Sequence, residues 1–419
     1  MPTVDLSDFS FWTRSIPARE AAFAELRGLE RPPFFHETEL ADVGFPAGSG
    51  YYALVRHADV VEVSRRPRDF CSGKGATSII DLPPEMNEFF GSMISMDDPK
   101  HARLRRIVAR QFSREAVNGW RGTIENTARR IVDELSAHGP GDFVERVATR
   151  MPIIVICDLL GIPEEDYDFI CSRSNILVGA FDPDYVPDLA NSAAALLTAG
   201  GELADYVNRL AEVRATEPAD DIITRLVHAN VDGERLTSQE LASFFILLVV
   251  AGNETTRNAI SYGLELLTRH PAEKQLWCSD FEAYATSAVE EIVRLSSPIL
   301  YMRRTATRDT ELNGQRFREG DKFLLFYWSA NRDERIFEDP HAFRITRSPN
   351  PHIGYGAPGP HLCLGAHLAR LEITAIFRQL LARIPDITAE GEPSRLVSNF
   401  IGGTKSLKCS FSTRSEEQS

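Results

Sequence analysis

The stretch 241–267 limits the fold more than any other: L-A-S-F-F-I-L-L-V-V-A-G-N-E-T-T-R-N-A-I-S-Y-G-L-E-L-L. Ser238 reads as the cap of this helix, with Glu240 close behind. The pattern is hydrophobic all round for three turns, so the helix is expected to run through the protein's centre. Its apolar run, residues 241–252, is too short to span a bilayer. Phe244, Leu248, Ala251 and Thr255 fall on one stripe. Two features are odd for a core helix: the small pair Ala251-Gly252 at its middle, then Glu254, Thr255 and Thr256 in succession. Gly there costs about 1 kcal/mol, and Thr is a poor helix former. A sequence tolerates this where something large must approach, or where a hydroxyl must bond the i−4 carbonyl.

A second stretch, residues 352–374, reads H-I-G-Y-G-A-P-G-P-H-L-C-L-G-A-H-L-A-R-L-E-I-T. Gly354, Gly356, Pro358, Gly359 and Pro360 stiffen an irregular turn that ends at Cys363. A helix pattern starts directly after it, with Leu364, Leu368, Leu371 and Thr374 on one face. Its N-terminus is expected to lower the thiol's pKa. Zinc would want further ligands at short spacing, and there is no C-x-x-C. An attacking thiolate would want a base; His361 is two residues away, but such chemistry does not require a Gly/Pro collar. Haem iron would want one axial thiolate and close approach of backbone to a flat ring, which glycines permit. A buried structural cysteine would want none of these. The loop alone leaves these readings open.

At 419 residues and 43% hydrophobic, the chain reads as globular. It opens with no signal-peptide pattern. Its six cysteines are scattered without framework spacing, which suits a reducing cytoplasm. The expectation is a soluble cytoplasmic protein. A net charge of −14 argues against nucleic acid or an anionic membrane as partner. Residues 100–110 nonetheless carry five fixed positive charges, as a solvated helix face or a docking patch.

In chain order, residues 1–45 read as short helices and loops, with Pro46 as a further breaker, 51–55 as a strand and 57–65 as a helix. Residues 71–96 lack sustained periodicity and read as a long apolar loop, usually a functional feature. Asp97-Asp98-Pro99 starts a helix on which His101 and Arg105 share a face. Residues 116–235 are helix-rich, broken at 179–187 by a loop short of packing residues, expected to form a mobile lid. Asp280 caps a helix to about Ser296, Asn313-Gly314 marks a hairpin turn, and 323–328 a buried strand. Residues 400–405 and 407–411 read as a second hairpin, and 412–419 as a frayed polar tail.

Taken together, these stretches resemble the cytochrome P450 family over nearly the whole chain. Gly359, Pro360, His361, Cys363 and Gly365 match its F-G-x-G-x-H-x-C-x-G signature, counting back from the cysteine. Upstream, Tyr355 stands for the aromatic residue, and one extra residue follows Tyr355-Gly356. Residues 251–256 match [AG]-G-x-[DE]-T-[TS]; Glu291 and Arg294 match E-x-x-R; Phe343 and Arg347 match F-x-x-x-R. The resemblance implies a mainly α protein with small β-sheets near 45–60, 300–330 and 395–412. It would be a single catalytic domain over 1–419, with haem b between the central helix and the Cys363 loop. Cys363 would be the axial iron ligand, with Ala251 and Gly365 also at the haem. His101, Arg105, Arg304 and His361 would bind its propionates. Glu291, Arg294 and Arg347 would form a structural charge triad beneath the loop. Arg303 has no assigned role.

The implied reaction is monooxygenation of a C–H bond by O₂, with Thr255 and Glu254 delivering protons. The longer loop resembles actinobacterial members that oxidise sterols, terpenoids and methyl-branched lipids. The guessed pocket wall (Ile79, Phe90, Val178, Val250, Ile299, Phe400) is apolar accordingly. With no flavin or dinucleotide fingerprint, electrons are expected from a ferredoxin and its NAD(P)H-dependent reductase. Arg103, Arg106, Arg110 and Arg370 are the expected docking charges, and the protein is expected to be a monomer. A peroxide-using peroxygenase or a haem-thiolate sensor is the alternative, and Glu254-Thr255 counts against both.

Overall fold

The computed structural model describes residues 4–37, 48–180, 182–230 and 233–412. Pro46, Phe181 and the expected polar tail beyond Ser412 lie outside them. Helix Ser238–Arg269 is the axis of the molecule. Its cap is Thr237, one residue before the expected Ser238. Thr237 is extended, its hydroxyl accepts from Glu240 N (3.1 Å), and the Glu240 carboxylate accepts from Thr237 N (2.9 Å). This reciprocal box needs Glu at the third helical position, which only Thr237 provides.

Every residue from 241 to 249 is buried. At about 1.5–3 kcal/mol for each large apolar side chain, that burial fixes the helix far more firmly than intrinsic propensity does. Packed around it are helices Pro84–Gly91, Arg150–Leu160, Tyr167–Val178, Ser192–Thr216, Phe281–Ser296 and Ala366–Arg383. Their inward faces share one large apolar core.

The strands gather into small sheets at one side. Tyr51–Leu54 runs parallel to Lys322–Phe326, which pairs antiparallel with Tyr301–Ala306. Phe34–Phe35 and Phe70–Cys71 complete the two edges of that five-stranded sheet. The hairpin Thr310–Leu312 with Gln315–Phe317 turns at Asn313 and Gly314, both at positive φ as an Asn-Gly turn requires. The fold is thus mainly α with small β-sheets, as expected.

Four local expectations differ. Residues 71–96 are not a continuous loop: Pro84 at the first turn starts helix Pro84–Gly91, tied to the central helix by Ser243 Oγ donating to Glu88 O (2.6 Å). The helix after Cys363 starts at Ala366, with Leu364 in the preceding turn. The C-terminal hairpin joins Thr388–Arg395 to Thr404–Ser410, and residues 400–403 are its tip. Its first strand is polar and contains Gly391 at positive φ, so it carries no strand signature. Lastly, the break after Val178 is packed rather than short of contacts. Ala180, Asp182 and Val186 are buried, and Asp182 accepts from Val397 N (2.9 Å) and Lys405 Nζ (2.9 Å).

Candidate active site

Halfway along the central helix the burial stops on one side. Ala251 is exposed and Thr255 half-buried, although Val249, Asn253, Glu254 and Thr256 around them are buried. A Cβ on Gly252 would meet nothing closer than Ile156, at 3.6 Å. The stripe of Phe244, Leu248, Ala251 and Thr255 therefore passes from packed core to an open interior face. The Thr255 hydroxyl donates to Ala251 O (2.7 Å), the i−4 bond that the sequence suggested.

The loop carrying Cys363 is held from several directions. Cys363 N donates to Tyr355 O (2.9 Å), and Gly356 between them sits at φ +91°. Gly359 is required for a different reason: its Cβ would fall 2.3 Å from Ser64 O. Beneath the loop, Glu291 and Arg294 are both fully buried and doubly bonded (2.7 and 2.8 Å), with Arg347 Nε 3.0 Å from the same carboxylate. The structure brings these three together. The link onward to the loop was not foreseen: Asn331 Oδ1 accepts from Ile353 N (2.8 Å), and Asn350 Nδ2 donates to Glu291 (3.1 Å).

Cys363 Sγ is exposed by surface area yet enclosed by protein, as a side chain on the wall of an interior cavity is. Burial pushes its thiol pKa up, against a hydrogen bond from Gly365 N–H and the charges of Arg105 and Arg370. The expected lowering by the helix N-terminus is therefore corrected: desolvation outweighs it, and the helix starts three residues on.

A cluster of bases lies beside this loop. The His101 and His361 rings stand 4.3 Å apart, and His361 Nε2 is 3.1 Å from Ser72 Oγ. Arg105 Nη2 donates to Leu362 O (2.7 Å), and Arg304 Nη1 to Arg303 O (2.7 Å). Burial first, then Arg304, His101 and Arg105, holds His361 down at about 2. Burial and Arg105 likewise push His101 down. Neither Arg105 nor Arg304 has a carboxylate partner among the described residues, and His101 Nε2 is buried with no partner. Convergent donors without an anion are what the two propionates of haem need. The donor set, the exposed Ala251 and the enclosed thiol fit the group.

Glu254 is buried, its Oε1 taking hydrogen bonds from Arg257 and from Asn258 Nδ2 (3.2 Å), while Oε2 has no partner. Ile79, Ile299 and Phe400 come together: Tyr301 bonds the Ile79 backbone and stacks edge-on with Phe400 at 5.4 Å, and Ile299 bridges Ile401. Val178 and Val250 are half-buried on neighbouring helices. Phe90 packs instead on Phe89 and Gly200, since Gly200 leaves room for its ring. Arg303 has a clear place: it clasps the carbonyls of Ser78, Ile79 and Ile80 and pairs with Asp81 (2.6 Å). Of the expected docking charges, Arg103 is spent on Glu234 and Glu240, and Arg370 on Glu290, whereas Arg106 and Arg110 are exposed.

Sequence reasoning missed Arg257 and Asn331. An arginine inside a buried helix stretch was a usable signal for the first, because charges are seldom buried unpaired. Glu372 was missed too: it is buried on the Cys363 helix, its pKa raised well above normal by desolvation against a hydrogen bond from Thr256.

Comparison with known proteins agrees with this geometry. A cytochrome P450 family model matches residues 283–386. The methyl-branched lipid omega-hydroxylase of Mycobacterium tuberculosis is 45% identical over 98% of this chain and 95% of its own. The steroid C26-monooxygenase of Mycolicibacterium smegmatis is 37% identical over 97% of this chain and 94% of its own. A solved Mycobacterium marinum cytochrome P450 in complex with pseudoionone superposes with a TM-score of 0.92, at 41% identity over 98% of both chains. The chain belongs to the cytochrome P450 family, as a haem b–thiolate monooxygenase acting on hydrophobic substrates.

Proposed function

We propose that the protein oxidises a methyl-branched or steroid-like lipid at an alkyl terminus. The names of the two curated relatives support this class, both denoting attack near a chain end. The half-buried apolar residues Ile79, Ile299 and Phe400 support it from the structure. We further propose one catalytic domain, working as a cytoplasmic monomer and reduced by a ferredoxin with an NAD(P)H-dependent reductase. No helix among the described residues is long and apolar enough to cross a membrane.

In this reading Cys363 would ligate the iron, Ala251 and Gly365 would lie against the haem, and His101, Arg105, Arg304 and His361 would hold its propionates. Bound haem supplies the O₂-activating iron, whose thiolate ligation favours O–O cleavage. The protein's own work is to place protons and exclude water. Thr255 Oγ1 donates to Ala251 O, so its lone pairs are free to receive a water's hydrogen beside the open face. Glu254 keeps Oε2 free to pass a proton to that water, while Oε1 stays anchored. The hydroxyl-to-carbonyl bond of Thr255 beside a half-anchored acid carries this reading.

The substrate class is tested by titrating holoenzyme with methyl-branched fatty acids, steroids, small polar aromatics and sugars. The first two should convert the ferric haem from low to high spin and, under turnover, yield terminally oxygenated products. Full spin conversion by sugars would sink the proposal.

A further inference from the structure

The two groups that anchor Glu254 Oε1 are themselves fastened to elements outside the central helix. Arg257 donates to Asn175 Oδ1 (3.1 Å) on helix Tyr167–Val178, and Gly179 after that helix donates to Asn175 O (2.9 Å) and accepts from Asp182 N (2.9 Å) at the start of the 182–188 loop. Asn258 Oδ1 accepts from Thr404 N (3.0 Å) at the start of the C-terminal strand Thr404–Ser410. That loop and hairpin are in turn joined: Asp182, fully buried, takes Val397 N–H and Lys405, and Lys405 also pairs with Asp184. The contacts form a closed ring running from Glu254 through Arg257, Asn175, Gly179 and Asp182 to Lys405, Thr404, Asn258 and back.

We infer that Arg257 is a positioning residue that ties the orientation of Glu254 to the docking of the 182–188 loop against the C-terminal hairpin. The inference rests on the reading of Glu254 as a proton relay. Its physical content is that both partners of Oε1 are braced from outside the central helix, Arg257 by Asn175 and Asn258 by Thr404 N, and that Asp182 joins the two braces. The Arg257–Glu254 pair is buried on both sides, so Arg257 cannot trade its anchors for water. Loss of the Lys405 clasp leaves the Arg257–Glu254 pair intact but loosens the joint between the two braces that fix its place. Oε2 then no longer points at a fixed place, and the acid delivers its proton less often in register with Thr255. Substrate and loop closure thus bear on proton delivery without any contact between substrate and acid.

Arg257→Gln alone would be a poor test, because it leaves a buried carboxylate unpaired and threatens folding. Lys405→Met is better, since Lys405 touches neither Glu254 nor Arg257. The measurement is product formed per NADH consumed, in reconstituted holoenzyme, for Lys405→Met, Glu254→Gln and the double variant. Substrate-induced spin conversion is recorded alongside, to show that binding persists. Lys405→Met should lower the ratio about two- to thirtyfold, as coupling through such networks does. The double variant should match Glu254→Gln, because both changes act through one carboxylate. Amide exchange of residues 182–188 should quicken in Lys405→Met, with or without haem. A wild-type ratio in Lys405→Met overturns the inference, as does a double variant whose loss is the product of the two single losses. If Glu254→Gln itself keeps the wild-type ratio, the relay reading fails first, and this inference with it.

Discussion

At the scale of residues, the chemistry turns on which polar atoms are left unsatisfied. Among the described residues Thr255 has a partner in Ala251 O, Glu254 Oε2 and His101 Nε2 have none, and Arg105 and Arg304 lack carboxylates. Such gaps are rare in packed proteins and point to what must come into the site. Thr255→Ala should bind haem and substrate normally, since no ring contact needs the hydroxyl. NADH consumption should continue while product falls on the order of 10²-fold, the missing electrons appearing as hydrogen peroxide. Unchanged coupling would remove the hydroxyl from the mechanism. Much of this site was legible in the sequence, because Ala251-Gly252 and the acid–threonine pair contradict the helix that carries them. The anchors of Glu254 were not: Arg257 is braced by Asn175 from another helix, and Asn258 matters only because Thr404, 146 residues away, arrives beside it.

At the scale of elements, the Cys363 loop is rigid because helices behind it hold it. The helix Phe281–Ser296 contributes two neighbouring carboxylates with separate tasks: Glu291 serves the arginine pair, and Glu290 binds His352 (2.7 Å) and Arg370. Burial would raise the pKa of Glu290, but the hydrogen bonds from His352 and Arg370 outweigh it and hold it at about 2, from an ordinary 4.5. A depressed carboxylate stabilises the fold above its unfolded pKa, and that contribution is lost as pH falls through the folded value. Wild type should therefore lose stability between about pH 4.5 and 2 by more than Glu290→Gln does. Parallel acid-unfolding curves for the two would show that Glu290 is not the group responsible. Elements with strong periodicity were placed correctly from sequence. The polar strand Thr388–Arg395 and the packed loop after Val178 were not, since both owe their structure to distant partners.

At the scale of the whole molecule, a −14 chain keeps Arg106 and Arg110 exposed on the basic run 100–110. If an acidic ferredoxin docks there, Arg106→Glu and Arg110→Glu should each slow haem reduction, and raised salt should slow the wild type, through screening over about 10 Å. Normal reduction rates in both variants would make that run a solvated face. The architecture gathers sheets and thiolate loop around one helix whose burial is broken at Ala251. The claim that Cys363 is the thiolate ligand is tested most directly by the reduced carbon monoxide spectrum of Cys363→Ser loaded with haem. The account predicts loss of the absorption band specific to thiolate-ligated haem; that band at wild-type intensity would contradict it.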